Sequence, residues 1–362
     1  MIIENIITSN HCEFYLDGGG IFCSDASPKI LDNTISANTG AYNGGGICLR
    51  NASSPLIQGN IIEANVTSSG WGFAYGAGIF IDVGSDPVIT ENRIQANVID
   101  TGSGAGICVR GPGSTLISHN LIVGNIGAGI ACTDSSLARI VSNTISANNT
   151  GIFVETNAHP RLVNSVIWDN PIVVIQEFDL SAISIAYSNI ENGWEGPGNI
   201  HMDPLFVNQA AGDFSLMETS PCVDGGTDFY VFEMDTIVNL GSADYLGNAP
   251  DIGSIESPFV VRVLGSSTMP TAFELKQNYP NPFNPQTIIK YGLPETAQVK
   301  LAVFNVKGQE IALLVEGQQS AGWHECTWSG TDQSGKALDS GLFFTRLETG
   351  SMSKVIKMLY LK

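Results

Sequence analysis

Residues 78–97 read GIFIDVGSDPVITENRIQAN, and versions of this stretch occur six times between residues 20 and 170. Each copy begins with Gly-Ile and ends with an Asn-x-Ile-x-x-Asn block or a close variant, and 17 or 18 residues separate the isoleucine from the final asparagine. From that asparagine to the next isoleucine the distance varies between 4 and 14 residues. A constant half and a variable half indicate a solenoid with a fixed wall and one variable edge.

Apolar residues alternate within the constant half, as in Ile79 and Ile81 or Ile107 and Val109. A period of two predicts short strands with one buried face. Two further apolar segments follow in each copy, so one copy supplies three short strands in about 22 residues, the size of one parallel β-helix rung. The sequence therefore predicts an all-β fold whose residues 1–190 form a parallel β-helix solenoid of about eight rungs.

Asparagines recur at two fixed places in the repeat, and we expect them to stack at two corners of the coil. Stacked amides bond to one another and to turn backbone, and asparagine tolerates the left-handed conformation that a tight corner requires. The glycine before each isoleucine is expected to serve the same need for an unusual backbone angle. The two columns are Asn33, Asn60, Asn92, Asn120 and Asn143, and Asn38, Asn65, Asn97, Asn125, Asn148 and Asn170.

Charge is distributed unevenly along the 362 residues. Residues 1–258 contain 6 Lys and Arg against 27 Asp and Glu, whereas residues 259–362 contain 10 against 8. Such an acidic rod should repel nucleic acid, anionic membranes and polyanionic glycans, unless calcium bridges the like charges. No stretch is long and apolar enough for a transmembrane segment. Because no Lys or Arg precedes Lys29, we expect this chain to lack its signal peptide.

The variable edge carries aromatic and acidic side chains, which form the predicted binding site. Aromatic rings can stack on sugar rings, and carboxylates can accept hydrogen bonds from hydroxyl groups. The alternative is that the long loops fold over one another and bury these rings against the rod. The predicted binding residues are Tyr15, Asp17, Tyr42, Trp71, Tyr75 and Asp100.

A charged column lies three residues after each isoleucine, where Arg50, Asp82 and Arg110 alternate in sign on neighbouring rungs. The favoured interpretation is a structural ladder of ion pairs about 5 Å apart. The functional alternative makes an arginine a lyase base or a carboxylate clamp, so these three residues are the weak catalytic candidates. Beside them an outward apolar stripe is predicted, formed by Phe22, Cys48, Phe80, Cys108 and Phe153.

Signatures of catalysis and of a metal site are weak. Glycoside hydrolysis needs two carboxylates at a defined separation, and no such pair is evident. No adjacent aspartate pair, Gly-His-Gly or Arg-Ile-Lys element of the polygalacturonase-like kind is present. No cofactor is expected other than calcium, for which four acids offer ligands without the spacing of an EF-hand. These acids are Asp224, Asp228, Asp235 and Asp244.

The Gly-Ile and asparagine blocks resemble the right-handed parallel β-helix repeat family, an architecture shared by pectate lyases and many bacterial surface proteins. Residues 191–256, with Asp203-Pro204-Leu205-Phe206 and Ser220-Pro221-Cys222-Val223-Asp224, resemble the tail found after secreted β-helix repeats. This segment is therefore predicted to be a C-terminal cap covering the last rung. The resemblance implies the pectate-lyase-like superfold and leaves the activity open.

A second module begins after a predicted linker at residues 257–272. Residues 277–285 read QNYPNPFNP, and short alternating strands with turns between them follow, as expected of a small antiparallel β-sandwich. Residues 273–362 resemble the type A C-terminal sorting domain of the type IX secretion system. That resemblance implies an Ig-like sandwich and the secretion machinery as a partner. It also implies a secreted or outer-membrane-surface location in a Gram-negative bacterium.

Two details of this module are also predicted. Trp323 and Trp328 are expected in its core. Lys354, Lys357 and Lys362 either form a solvated strand face or contact the export machinery.

We therefore expect an exported surface or secreted β-helix that binds glycans or adheres without catalysis. The alternative is a polysaccharide lyase or glycoside hydrolase, and a purely structural surface spacer is the second alternative.

Overall fold

The protein is described from a computed structural model covering residues 1–12, 17–67, 74–176, 180–259, 272–319, 321–333, 335–350 and 352–362. The chain divides into two compact units, Met1–Val261 and Arg262–Lys362. Most of the predicted linker at residues 257–272 falls outside the described residues. The finer boundaries predicted at residues 190 and 256 stay predictions.

The first unit is a coil of short strands that stack into three long parallel sheets. Sheet A contains β1 (Ile2–Ile3), β4 (Lys29–Leu31), β8 (Leu56–Gln58), β13 (Val88–Thr90), β18 (Leu116–Ser118), β21 (Arg139–Val141), β24 (Arg161–Val163) and β27 (Ser184–Ala186). Sheet B contains β2 (Ile6–Thr8), β5 (Thr34–Ser36), β9 (Ile61–Glu63), β14 (Arg93–Gln95), β19 (Leu121–Val123), β22 (Thr144–Ser146), β25 (Val166–Trp168) and β28 (Asn189–Ile190).

Sheet C is built from the strands that follow each Gly-Ile pair. It contains β3 (Ile21–Ser24), β7 (Ile47–Arg50), β12 (Ile79–Ile81), β17 (Ile107–Arg110), β20 (Ala128–Thr133), β23 (Thr150–Val154) and β26 (Ile172–Gln176). Short strands at the variable edge form two small parallel sheets, one of β6 (Thr39–Gly40), β10 (Val66–Thr67) and β15 (Val98–Ile99), and one of β11 (Ala74–Tyr75) and β16 (Gly102–Ser103). Sheets of eight, eight and seven strands confirm the predicted solenoid of about eight rungs.

The repeat places equivalent residues in register, so isoleucines stack into columns inside the coil. Ile79 pairs with Ile47 on one side and with Ile107 on the other. All three side chains are fully buried and belong to the single core that runs along the coil. Burying one such side chain contributes about 1.5–3 kcal/mol, and most of that burial comes from neighbouring rungs.

The asparagine columns form the predicted ladders. The Asn65 Nδ2 donates to Asn97 Oδ1 at 3.0 Å, and the Asn97 Nδ2 donates to Asn125 Oδ1 at 3.0 Å and to the Ile62 carbonyl at 3.0 Å. The expectation that asparagine itself takes the left-handed conformation is wrong. The residue before it does, as at Ala64 and Ala96, both with φ of 52°. That residue makes the turn, which leaves the next amide side chain to bond along the rod.

The repeat glycines are expected to provide an unusual backbone angle, and this reason is also wrong. Gly20, Gly46, Gly78, Gly106 and Gly129 do not have a positive φ. What they need is space, because a Cβ on Gly78 would lie 2.5 Å from the Gly106 carbonyl oxygen and 3.1 Å from the Asn97 Nδ2. Glycine is therefore required here by the close approach of the next rung and of the ladder.

The segment after the last rung both covers the end of the coil and runs back along its side. At the end, Ile200 bridges to Asn189, and Trp194 packs on the coil core. Residues 203–256, here the flanking segment, then pack on the outer faces of sheets A and B. Their strands are β29 (Phe206–Asn208), β30 (Asp213–Leu216), β31 (Phe229–Phe232) and β32 (Asp235–Asn239), with a 3₁₀ turn at Gln209–Ala211.

Contacts on both sheets hold the flanking segment. Phe214 packs with Leu121 and Val123 of sheet B, and Ile237 packs with Val141 and Val163 of sheet A. The cavities beside the coil arise from this arrangement.

The second unit is an antiparallel sandwich of two sheets. One contains β33 (Glu274–Leu275), β34 (Thr287–Leu293) and β37 (Gly322–Trp328), and the other contains β36 (Glu310–Gln319), β35 (Ala297–Asn305), β38 (Gly341–Thr349) and β39 (Met352–Tyr360). The fold class is thus all-β throughout, as predicted. In the part of the chain that the structure describes, no helix has the length and apolarity needed to cross a bilayer.

The signature segment of the second unit holds its last strand. Phe283 is buried, with its ring centroid 5.5 Å from that of Trp328 and 5.0 Å from that of Tyr360. Its backbone N–H donates to the Leu359 carbonyl at 3.0 Å. Trp328 is in the core as expected, but Trp323 is only half-buried.

The reason is that Trp323 points to the outer face of its sheet. The ammonium groups of Lys276 and Lys290 lie over its ring there, at 5.2 Å and 6.0 Å from the centroid. The three lysines of the C-terminal strand and tail are exposed, as both alternatives for them require.

Candidate functional site

The predicted apolar stripe lies on the outer face of sheet C, but most of it is covered. Cys48, Phe80 and Cys108 have no exposed surface, whereas Phe22 on an earlier rung is 51% exposed. The cover comes from the variable edge, where the Tyr75 ring packs on Phe80 with 6.1 Å between ring centroids. Phe22 is thus exposed and Phe153 is partly buried, so the part of the stripe open to a partner lies at its two ends.

A polar group lies beside this covered stripe and will be called the edge cluster: Asp17, Asn43, Arg50, Tyr75 and Asp82. The two Nη atoms of Arg50 lie 2.6 Å from Asp17 Oδ2 and 3.3 Å from Asp82 Oδ2. The Asn43 Nδ2 donates to the other oxygen of Asp17 at 2.8 Å. The Arg50 guanidinium also lies 5.9 Å from the centroid of the Phe80 ring. The Asp17 carboxylate thus connects Asn43 in an edge loop to Arg50 on sheet C.

Two polar atoms of the edge cluster are buried without a hydrogen-bond partner, the Arg50 Nε and the Asn43 Oδ1. Asn43 is only 8% exposed. One atom is a donor and the other an acceptor, and both side chains are fixed through Asp17. A buried polar atom without a partner costs free energy, so these two atoms mark a part of the edge cluster whose hydrogen-bonding capacity the protein itself does not use.

The structure brings three of the predicted binding residues together. Asp17 and Tyr75 belong to the edge cluster, and the Tyr75 N–H donates to the Tyr42 carbonyl at 3.1 Å. Asp100 is exposed just beyond β15, where its N–H donates to the Thr67 carbonyl at 3.2 Å. Tyr15 and Trp71 lie outside the described residues.

Sequence reasoning missed Asn43. A signal was present, since Asn43 is an asparagine outside both ladder columns and immediately before three glycines.

The charged column of the catalytic candidates is a set of ion pairs, but its pairing differs from the simple ladder. Arg50 bonds to Asp82 as expected. Arg110, in contrast, pairs through its Nε with Asp134, which follows the strand of the next rung. Asp134 raises the pKa of the Arg110 guanidinium by hydrogen bonding to it. To act as a base, Arg110 would first have to lose its own proton. The contact with Asp134 makes that loss harder.

The buried thiols beside the cluster are held neutral. Burial raises the pKa of the Cys48 thiol to about 12, and the Asp17 carboxylate adds to the effect. A nucleophilic cysteine needs a thiolate, so Cys48 has the properties of a packing residue. All seven cysteines are free.

The acids considered for calcium are each engaged locally. The Asp224 carboxylate accepts from the Asn248 N–H and Nδ2, both at 3.1 Å, and Asp244 Oδ2 accepts from the Gly241 N–H at 2.7 Å. Asp235 pairs with Arg161. Among the described residues, no group of three or more His, Cys, Asp and Glu side chains is arranged to hold a metal ion. Calcium binding stays a prediction.

A cavity of about 380 Å³ lies between the coil and the flanking segment. The coil contributes Glu91 and His119, and the flanking segment contributes Tyr245, Asp251 and Glu256. Burial raises the pKa of Glu256 to about 7; the hydrogen bond from the Asp251 N–H opposes this shift, and the charge of the Asp251 carboxylate adds to it. The pKa of the partly exposed His119 is lowered because surrounding protein desolvates the imidazolium.

No sequence signal pointed to this cavity. Its two walls are at least 98 residues apart in sequence and lack a shared motif.

Comparisons with known proteins agree with the fold. The family model described as right handed beta helix region matches residues 1–101 and 94–193, and the model described as FlgD Ig-like domain matches residues 282–350. Curated proteins give no match.

Among solved structures, PorZ, an essential surface component of the type-IX secretion system of Porphyromonas gingivalis, matches with 18% identity and a TM-score of 0.19. The match covers 27% of this chain and 13% of that chain, and a likeness this weak carries no argument about function. The first family model, in contrast, spans more than half of the chain, in the region where the parallel sheets lie. The chain therefore belongs to the right-handed β-helix family.

Proposed function

We propose that this protein is an exported, cell-surface or secreted β-helix that binds glycans through its edge cluster without altering them. One observation carries the proposal. The Asn43 Oδ1 and the Arg50 Nε are both buried without a partner beside Asp17, at the edge where the repeat varies most in length. A sugar hydroxyl can both donate and accept, so it suits one free acceptor and one free donor.

The charge of the edge cluster favours a neutral ligand. Its one arginine lies between two carboxylates, Asp17 and Asp82, which leaves the cluster with a formal net charge of −1. The surrounding coil is also strongly acidic. A carboxylated or sulfated chain would be repelled, whereas a neutral sugar with hydroxyl groups would not. Tyr75, half-buried on Phe80, supplies an aromatic surface against which a sugar ring can pack.

We also propose that the second unit delivers the protein to the cell surface as a type IX sorting domain. The support is the QNYPNPFNP segment at residues 277–285 together with a fold of the right class, an antiparallel sandwich that matches an Ig-like family model. In this unit Phe283 packs into the core while the lysines of the last strand and tail stay exposed. A buried anchor and an exposed basic strand suit a module that must fold by itself and still be recognised.

The binding proposal is tested with an array of neutral and acidic glycans. The variants Tyr75→Ala and Asn43→Ala should weaken binding to the same neutral glycans that the unaltered chain binds, by roughly threefold to tenfold for one lost contact. Asp32→Asn is a matched control, since Asp32 is an exposed coil carboxylate at the corner between sheets A and B. If every glycan binds the variants and the unaltered chain equally, the edge cluster is not the binding site.

The export proposal needs a different experiment. The chain, preceded by a signal peptide, is expressed in a bacterium that has a type IX system, with and without residues 272–362. Surface labelling should detect the longer protein outside the cell and the shorter one only in the periplasm. Equal surface labelling of the two would contradict the proposal, and a strain lacking the secretion system is the control.

A second candidate function, hydrolysis of a polysaccharide, is favoured by the cavity that contains Glu256. A carboxyl group with a pKa near 7 can act as a general acid at neutral pH. The test is a depolymerisation screen with neutral and acidic polysaccharides, following reducing ends and unsaturated products, with calcium and with chelator. Product that disappears in Glu256→Gln would establish hydrolysis at this cavity, and silence with a folded protein would leave binding as the function.

A further inference from the structure

A separate cavity of about 360 Å³ lies where the hairpin β31–β32 of the flanking segment approaches the last rungs of sheet A. The coil side contributes His159, Arg161 and Ser184, and the hairpin contributes Phe232 and Glu233. Leu137 and Ala182 complete an apolar part of the lining. The cavity belongs entirely to the first unit, and its volume lies in the range of small-ligand sites.

The arginine of this cavity lies between two carboxylates, which leaves a formal net charge of −1. The Arg161 Nη1 lies 3.1 Å from Asp235 Oδ2, and its Nη2 lies 3.9 Å from Glu233 Oε2. The guanidinium also lies 5.5 Å from the centroid of the Phe232 ring. Because two carboxylates already neutralise the arginine, an anionic ligand would gain little from it and would meet Glu233. A cation would meet Arg161.

Hydrogen-bonding capacity nevertheless remains. The Arg161 side chain is only 12% exposed, and its Nε is buried without a hydrogen-bond partner. Glu233 is mostly exposed, at the turn of the hairpin, and its Oε2 lies 3.9 Å from the Arg161 Nη2. Its second oxygen can accept from a ligand. His159 and the Ser184 hydroxyl each add a group that can both donate and accept, once the histidine tautomer is considered.

We infer that this cavity is a binding site for a neutral saccharide unit, of one or two sugar rings. Adjacent donors and acceptors beside an aromatic ring and aliphatic side chains match a molecule whose edges carry hydroxyls and whose faces carry C–H groups. The excess carboxylate disfavours a uronic acid, so a neutral sugar is favoured over it. This site goes beyond the edge cluster, because it lies on sheet A under the hairpin, whereas the cluster lies on sheet C.

The test uses saturation-transfer NMR and calorimetry on the full chain with a defined panel of probes. Methyl glucoside, methyl galactoside, methyl mannoside, maltose, cellobiose and lactose represent the neutral class, and glucuronate and glucosamine represent the charged classes. At least one neutral probe is expected to bind saturably. Ser184→Ala should weaken that binding by roughly threefold to tenfold, the loss associated with one hydrogen bond. Ser36→Ala, a half-exposed serine on sheet B, should leave it unchanged.

Arg161→Lys supplies a second variant, because it retains the charge opposite Asp235 while removing the Nε–H. It should lower the affinity without loosening the hairpin, which hydrogen exchange of residues 229–239 would report. Binding that Ser184→Ala and Arg161→Lys leave intact would overturn the site. So would the absence of saturable binding across the panel, and tighter binding of glucuronate or glucosamine would overturn the neutral class.

The edge cluster can be separated from this site in the same experiment. Tyr75→Ala is expected to leave the affinity of the small probes unchanged. If Tyr75→Ala removes their binding and Ser184→Ala does not, the saccharide binds only at the edge and the inference fails.

Discussion

At the scale of single residues, shape and local charge decide more than residue type. Gly78 is required because the next rung approaches within contact of its α-carbon, although its backbone angle is ordinary. Glu256 differs from an ordinary surface glutamate because two other carboxylates and a protein wall surround it. Neither property can be read from the amino acid alone.

Gly78→Ala should destabilise the coil by about 1–3 kcal/mol, the usual cost of forcing a methyl group into a packed site. Its Cβ would lie 2.5 Å from the Gly106 carbonyl oxygen, and backbone cannot move aside as a flexible side chain can. Chemical denaturation measures the change. Gly241→Ala is the control, because the nearest atom to its Cβ would be 3.6 Å away. Equal stability of the two variants would show that the rungs can separate without cost.

Glu256→Gln should raise the melting temperature at about pH 8 and leave it almost unchanged at about pH 4, below the ordinary pKa of glutamate. The pKa of Glu256 is raised from its ordinary value to about 7 in the folded protein, so its stabilising contribution is present at low pH. That contribution is lost as the pH rises through 7, when a second charge must form beside Asp251. Glutamine stays neutral and retains an oxygen for the Asp251 N–H, which Glu256 Oε1 now binds at 2.6 Å. A melting difference independent of pH would contradict this explanation.

At the scale of elements, a rung is stable because of its neighbours. A strand of sheet C is three to six residues long, too short to be stable alone. Each rung gains its core and its amide ladder only from the rungs above and below. The consequence is that a defect in the middle of the coil affects both sides, while a defect at its end affects one side.

Asn97→Ala tests the ladder in the middle of the coil. Asn97 is fully buried, and its side chain bonds to Asn65, Asn125 and the Ile62 carbonyl. Its loss leaves buried partners unsatisfied, and we expect a destabilisation of about 1–3 kcal/mol. Asn10→Ala is the matched control, since Asn10 is exposed and bonds only to Asn38 in the ladder. Equal losses in equilibrium denaturation would indicate that the ladder contributes little.

Phe283→Ala tests the signature segment of the second unit. Its ring is buried against Trp328 and Tyr360, so removing it should destabilise this unit by about 3–5 kcal/mol. Hydrogen exchange, read peptide by peptide, should speed up in residues 272–362 and stay unchanged in the coil. Val306→Ala is the control, because Val306 is 66% exposed. Faster exchange in the coil as well would contradict the division into two compact units.

At the scale of the whole molecule, charge limits the choice of ligands. The formal net charge is −19, and residues 1–258 carry all of the excess. Three of the six basic side chains in residues 1–258 pair with carboxylates, namely Arg50, Arg110 and Arg161. Long-range electrostatics therefore oppose anionic partners along the coil.

Salt should separate neutral from anionic glycans. Binding of a neutral glycan is expected to change little as the salt concentration rises. Any binding of polygalacturonate should strengthen, because salt screens the repulsion from the acidic coil. Affinity measured at several salt concentrations checks both, with chelator present to exclude bridging by calcium. Polygalacturonate binding that weakens with salt would indicate a basic contact surface and contradict this account.

The repeating fold could be predicted from the sequence pattern alone. The constant spacing from each isoleucine to the final asparagine predicts strands, corners and ladders, because each rung repeats one local set of contacts. It also placed the charged column and Asp17 at the edge. It did not predict Asn43 as part of the cluster, the covered stripe, or the pairing of Arg110 with Asp134.

The positions of the cavities depend on long-range packing and could not be predicted from the sequence. Residues 203–256 fold back along sheets A and B, and so bring His119 to Glu256 and Arg161 to Glu233. These pairs are distant in sequence and belong to no repeat, so no periodicity marks them. Repetition determines contacts between neighbouring rungs, whereas the position of a single non-repeating segment depends on which exposed apolar residues of the coil it can cover.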